Sequence, residues 1–144
     1  VNNIALGEVK KYWKLDGGAN DAIIVVPFET TGLEADATIR DYDNLSLLLA
    51  GTTNEQTTMG RKTVTSPVIT VDDTNNRVDI DCADIVWTGA TGNAISALQF
   101  VYDPDTTVGT DADLIPLHLH AFVITPDGSD VTAVIAAAGI FRAQ

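Results

Sequence analysis

Leu117-His118-Leu119-His120 is the segment whose residue types come nearest to chemistry. Residues two apart in an extended strand share a face, so both imidazoles are expected to point the same way. Paired histidines can chelate zinc, but a metal site needs a third ligand and none adjoins them. A structural role is expected, with a pH-sensitive contact between subunits as an intermediate reading, because imidazole titrates near physiological pH.

The carboxylates crowd into loops and hairpins: Asp72-Asp73, then Asp79, Asp81 and Asp84, then Asp103 and Asp105, then Asp111 and Asp113. Calcium takes about six to eight oxygen ligands, which acidic loops can supply. The stretch from Asp103 lacks the glycine that a helix-loop-helix calcium loop carries at its sixth place, so a solvated acidic surface is the expectation. No metal and no cofactor is expected.

Nucleophile arrangements are not apparent either. Ser46, Ser66, Ser96 and Ser129 lie in no Gly-x-Ser-x-Gly elbow. The run from Gly89 to Asn93 has two glycines but no lysine, so it is no phosphate loop. Glu29 and Glu34 could flank a sugar as a carboxylate pair, though an acidic chain offers many such pairs. Cys82 is the lone cysteine and reads as a small buried hydrophobe. A non-enzymatic protein is expected.

The elements that must position these residues follow from composition. Of 144 residues, 45% are hydrophobic and 19% charged, enough to bury the core of one domain, here residues 1–144. Thr outnumbers Ser by 18 to 4, and branching at Cβ favours a pleated sheet over a helix. The net charge of −12 repels phosphate backbones and anionic membranes, so neither nucleic acid nor membrane is an expected partner. Lys10, Lys11 and Lys14, interleaved with Tyr12 and Trp13, form the one basic cluster, too small to reverse that balance. No window reaches the roughly 18 apolar residues of a membrane span. Val1 to Lys11 lacks the order of a secretory signal, which suggests synthesis in a reducing cytoplasm.

Along the chain, residues 1–7 read as an arm and Glu8 to Leu15 as a strand with one wet face. Ala22 to Phe28 is a continuous apolar run, expected as a core strand, with Pro27 at its end or on an edge. Ile39, Tyr42, Leu45, Leu48 and Leu49 recur at spacings of three and four, which predicts one amphipathic helix over residues 37–50. Asp36 is its expected N-cap and Gly51 its stop. Strands are expected at 64–71, 77–82, 84–88, 94–102, 114–125 and 131–142, with turns at 72–76, 89–93 and 126–130 and a polar loop at 103–113. Many short strands with regular turns predict an antiparallel β-sandwich, jelly-roll-like, carrying one short helix.

Several segments are similar to a family of small tailed-phage virion proteins: Ile39 to Leu45 with Asn54-Glu55, Arg61-Lys62, Val68 to Asp81, and Val86-Trp87-Thr88. The resemblance continues through Tyr102 to Thr107, Leu114-Ile115-Pro116, Val123 to Gly128 and Ala138 to Arg142, covering roughly residues 37–142. It implies a capsid decoration or cement subunit at the virion surface, with the major capsid protein and copies of itself as partners. A homotrimer would match the three-fold positions of an icosahedral shell. It implies no catalytic residues. The face of Tyr42, Leu45, Leu48 and Leu49, and the arm residues Val1, Ile4 and Leu6, are the expected interface.

Two other readings compete. A carbohydrate- or host-surface-binding module would use exposed aromatics, and Trp13, Trp87, Tyr12 and Tyr102 are available, although Trp87 between Val86 and Thr88 is expected in the core. A minor tail or neck component would share the fold and the particle.

Overall fold

The computed structural model describes residues 1–143. Strand accounts for 34% of the chain and helix for 12%, and the sheets are antiparallel, so the chain is a mainly β protein with a sandwich-like arrangement. No barrel closes, and three short helices stand where one was expected.

The central sheet is built from β1 (Ala22–Glu29), β2 (Lys62–Thr63), β6 (Ile95–Asp103) and β7 (Ile115–Ile124), in the order β2-β1-β6-β7. A second sheet pairs β3 (Val68–Asp72), β4 (Arg77–Asp81) and β9 (Phe141–Ala143) in that order. A third joins β5 (Ile85–Trp87) to β8 (Val131–Ala133). The β3–β4 hairpin turns through Asp73 to Asn76, where Asp72 accepts from the backbone of Asn75, as its turn residues predict.

Both faces of the central sheet are covered, which explains why β1 is apolar without alternation and buried along nearly its whole length. Ile23 and Val25 face a core shared with Trp13, Trp87, Phe100, Ile80 and Val131. Ala22, Ile24, Val26 and Phe28 face a second core with Ile39, Leu45 and Leu48. Each large side chain buried this way contributes about 1.5–3 kcal/mol. Pro27 lies inside β1, yet it costs no ladder bond. Its carbonyl accepts from Gln56 on the β2 side, beyond the two residues that β2 pairs, so its missing N–H falls where no strand runs.

Several expectations are corrected. Residues 8–15 do not form a strand: Val9–Trp13 is a helix, α1. Val9 and Trp13, four apart, are both buried on one side, while Lys10, Lys11 and Lys14 stay in water. The mixed alternation was a helical period cut short.

The single helix at 37–50 is two: α2 (Asp36–Ile39) and α3 (Leu45–Leu49). Asn44 breaks them apart. Its extended backbone and its side-chain oxygen, which accepts from Leu47 at 2.9 Å, make it a new N-cap. The first amides of α3 are met by the long loop, Leu45 donating to Leu114 and Ser46 to Asp111. Ala35, not Asp36, occupies the cap position of α2, with no side-chain bond.

The segment 1–7 is no free arm. It contains a 3₁₀ turn, Asn3–Ala5, and lies along β7 and α2. The amide of Asn2 donates to Leu117, the amide of Asn3 to Arg40, and Ala5 is fully buried.

The last stretch is not one strand. β8 and β9 belong to different sheets, and the loop 134–140 carries the chain between them. Gly139 permits this turn: its φ is +82°, and a Cβ there would collide with the carbonyl of Ile80. Likewise the strand expected at 64–71 begins only at Val68, where β3 starts after Ser66, at a φ of +53°, and Pro67.

Candidate functional site

The register of the central sheet decides which part of it is open. Val64 donates to Ile23 and Gln56 to Pro27, so the odd residues of β1 bond away from β6 and the even ones towards it. Ile24, Val26 and Phe28 pair with Val101, Gln99 and Ala97, which leaves Leu98 and Phe100 to bond β7. Their partners there are His120 and His118. Hence Leu117, Leu119 and Ala121 turn their peptide groups outward. Asn2 takes the carbonyl of Leu117, and among the described residues no backbone group meets Leu119 or Ala121 on that side.

Beside this open edge lies an apolar groove of about 240 Å³. Leu98, Phe100, His120 and Phe122 form one wall, and Ala133, Val134, Ile135, Ala136 and Ile140 the other. Val123 and Val134 are 81% and 73% exposed, values that mark apolar side chains without cover. No acid lies between Leu114 and Thr125, in a chain with twenty acids. The sequence signal was that acid-free run; the groove itself needed the return of loop 134–140.

Of the two histidines, His120 lines this groove. They share a face, as expected, and are hydrogen-bonded to each other, His118 Nδ1 lying 2.8 Å from His120 Nε2. His118 is buried in a stack of rings, 4.8 Å from Phe100, 5.7 Å from Trp13 and 5.8 Å from Phe141, centroid to centroid. Burial holds its imidazole well below the usual range, with the neighbouring imidazole and the Val1 amino group acting the same way. Burial also lowers His120. Among the described residues no group of three metal-ligating side chains forms.

The expected interface residues separate into two sets. Leu45 and Leu48 are completely buried within the chain's own second core, with Tyr42 and Leu49 packed beside them. That face meets the sheet, not a neighbour. The Tyr42 hydroxyl donates to Glu34 at 3.1 Å. Val1 packs against the first core, whereas Ile4 and Leu6 are exposed.

The other candidates fall into structural roles. Trp13 and Trp87 are both 1% exposed, so neither offers a stacking platform to a sugar. Trp87 donates from Nε1 to Gly60. Tyr102 is buried and lies 5.0 Å from the Tyr12 ring. Cys82 is buried, and burial with Asp81 and Asp84 nearby pushes its thiol up to about 11. Glu29 accepts from Asn93 and Glu34 from Tyr42 and Thr53, so the two carboxylates serve different loops. Sequence reasoning passed over Arg61, whose guanidinium grips both Glu55 and Asp111 with contacts of 2.6 Å to each. This clasp ties the 104–114 loop to the rest of the chain.

The class defined by fold and site is therefore a mainly antiparallel β protein with an open strand edge and an adjoining apolar groove. No known protein family, no curated protein and no solved structure matches the chain. No helix among the described residues is long and apolar enough to cross a membrane.

Proposed function

We propose that this chain is a non-enzymatic structural subunit of a tailed-phage virion, a decoration or cement protein that binds the major capsid protein and its own copies. The observation that carries the reading is the acid-free open half of β7 beside its apolar groove, in a protein otherwise covered with acids. Edges and apolar grooves of this kind accept an extended chain segment, the main chain giving affinity and the pockets giving selectivity. The resemblance of residues 37–142 to small virion proteins supplies the particle.

A cement subunit must be rigid, soluble on its outer side and apolar where it seals a joint. Two cores on either side of one sheet support the first requirement. The net charge of −12 supports the second. The exposed Ile4, Leu6, Val123 and Val134 support the third. The burial of both tryptophans takes away two of the four aromatics that a carbohydrate reading would use.

The test is to compare the heat resistance of capsids with and without the protein, and its copy number with that of the shell protein. A marked loss of heat resistance without it, and a stoichiometry near that of the shell protein, are the expected results. Equal heat resistance would sink the cement role, and a ring-like copy number would move the protein to the neck or tail.

A further inference from the structure

We propose that the His118–His120 pair is an acid-sensitive latch that holds helix α1 and the C-terminal strand β9 against the central sheet. The inference is independent of what the groove binds.

With both rings neutral the pair shares one hydrogen bond without a buried charge. A hydrogen bond between two imidazole nitrogens 2.8 Å apart needs one proton between them, one ring donating and the other accepting. A proton added to His118 puts a charge among Trp13, Phe100 and Phe141, and neither ring is hydrogen-bonded to a carboxylate among the described residues. A second sets two donors against each other. The Nε2 atom of His118, moreover, is buried and has no partner among the described residues, so an imidazolium there would leave a charged N–H unmet.

The surroundings offer no compensation. The charged side chains of α1 are turned to the surface, Glu8 pairing with Lys11 and Lys14 with Asp16. On β9, Arg142 is engaged with Asp79 of β4. Loop 134–140, which faces His120, carries no titratable side chain. The amino group of Val1 bears on both rings and opposes their protonation, with Arg40 and Asp36 beside it.

The elements resting on the pair are short. Helix α1 is five residues long, and its buried Trp13 lies nearly parallel to His118, at 9°. Strand β9 has three residue pairs to β4 and the stack of Phe141 on His118. The central strands β1 and β6, by contrast, pair over eight residues. Since the folded chain binds these protons less readily than the unfolded one, the stabilisation is complete above the ordinary imidazole value of 6.5 and is lost as pH falls below it. Asp79, held below the ordinary carboxylate value by Arg142, keeps its charge through that window, so the ion pair at β9 is not what fails first.

Amide hydrogen exchange of the whole protein at about pH 7.5 and about pH 5, corrected for intrinsic rates, tests this. In wild type, amides of α1 and β9 should lose protection on the order of tenfold at the lower pH, while β1 keeps its own. His118→Phe retains a ring in the stack, removes the buried imidazole and leaves His120, and should show a smaller acid response at α1 and β9 than wild type. Equal protection in wild type at both values overturns the latch. So does an acid response in His118→Phe as large as that of wild type. Should that variant not fold, His120→Gln keeps a hydrogen-bonding partner for His118 and should show a smaller acid response; an undiminished one overturns the proposal.

Discussion

Asn2 and Gln99 lie 97 positions apart in the chain and share a buried hydrogen bond, the amide nitrogen of Gln99 reaching the side-chain oxygen of Asn2 at 3.2 Å. Asn2 in turn donates from its own side-chain nitrogen to Ile39 at 2.8 Å. One buried amide therefore joins the N-terminal segment, the central sheet and α2. Asn2→Ala would leave the Ile39 carbonyl unpaired and deprive the Gln99 amide of one acceptor, a loss of about 1–3 kcal/mol in unfolding free energy. Chemical denaturation should find that loss, and Asn3→Ala, which removes an exposed contact to Asp41, should stay within about 0.5 kcal/mol of wild type.

Leu48 and Leu6 separate packing from association. Leu48→Ala opens a cavity in the second core and should cost about 2–5 kcal/mol with no direct effect on partner binding. Leu6→Ser, at a side chain 62% exposed, should leave the melting temperature nearly unchanged and weaken self-association or particle binding. Light scattering beside thermal melts distinguishes them; a monomerising effect confined to Leu48→Ala would reverse the assignment.

Arg61 should act as the clasp of the long loop. Arg61→Met keeps the aliphatic stem and leaves Glu55 and Asp111 facing each other unpaired, which should destabilise by about 1–3 kcal/mol. Proteolysis should then cut within residues 104–113 faster than in wild type. An unchanged cleavage rate would show that the backbone bonds from Leu45 and Ser46 hold the loop unaided.

Cys82 should be inert in the folded protein. With its thiol pushed up to about 11 and its side chain buried, a thiol reagent at about pH 8 meets little thiolate and little access. Reaction should follow unfolding, so the labelling rate in graded denaturant would report the opening of this region. Fast labelling of native protein would show that the β4–β5 corner opens on its own.

Acid should unfold the protein in two windows. The histidine pair loses its contribution below 6.5. Asp79, bonded to Arg142 and Arg77, has a lowered carboxyl value, so its contribution is complete above 3.8 and is lost as pH falls through its still lower folded value. Denaturation midpoints followed against pH should show both steps, and Asp79→Asn should diminish the lower one, to which Asp72, Asp105 and Asp127 also contribute, while sparing the upper.

The sequence by itself determined the elements whose signal is local. The apolar run at Ala22 to Phe28, the hairpin turn at Asp72 to Asn76 and the alternating strand from Arg77 carry their periods and turn residues within a few positions, and the structure has them there. The shared face of His118 and His120 was legible for the same reason, since a strand's period of two is insensitive to what packs upon it. Tertiary structure decided the rest. A helix of five residues at Val9 to Trp13 has too few positions to display its period, and it persists because Trp13 is buried against the sheet. Asn44 could continue a helix or cap one, and the loop carbonyls of Leu114 and Asp111 that receive the next amides settle the choice. Whether Leu45 and Leu48 faced a partner or the chain's own sheet depended on the second core, assembled from residues scattered between Ala22 and Leu114. The groove at β7 is of the same kind: its walls come from separate parts of the chain, and only their packing leaves one strand edge open.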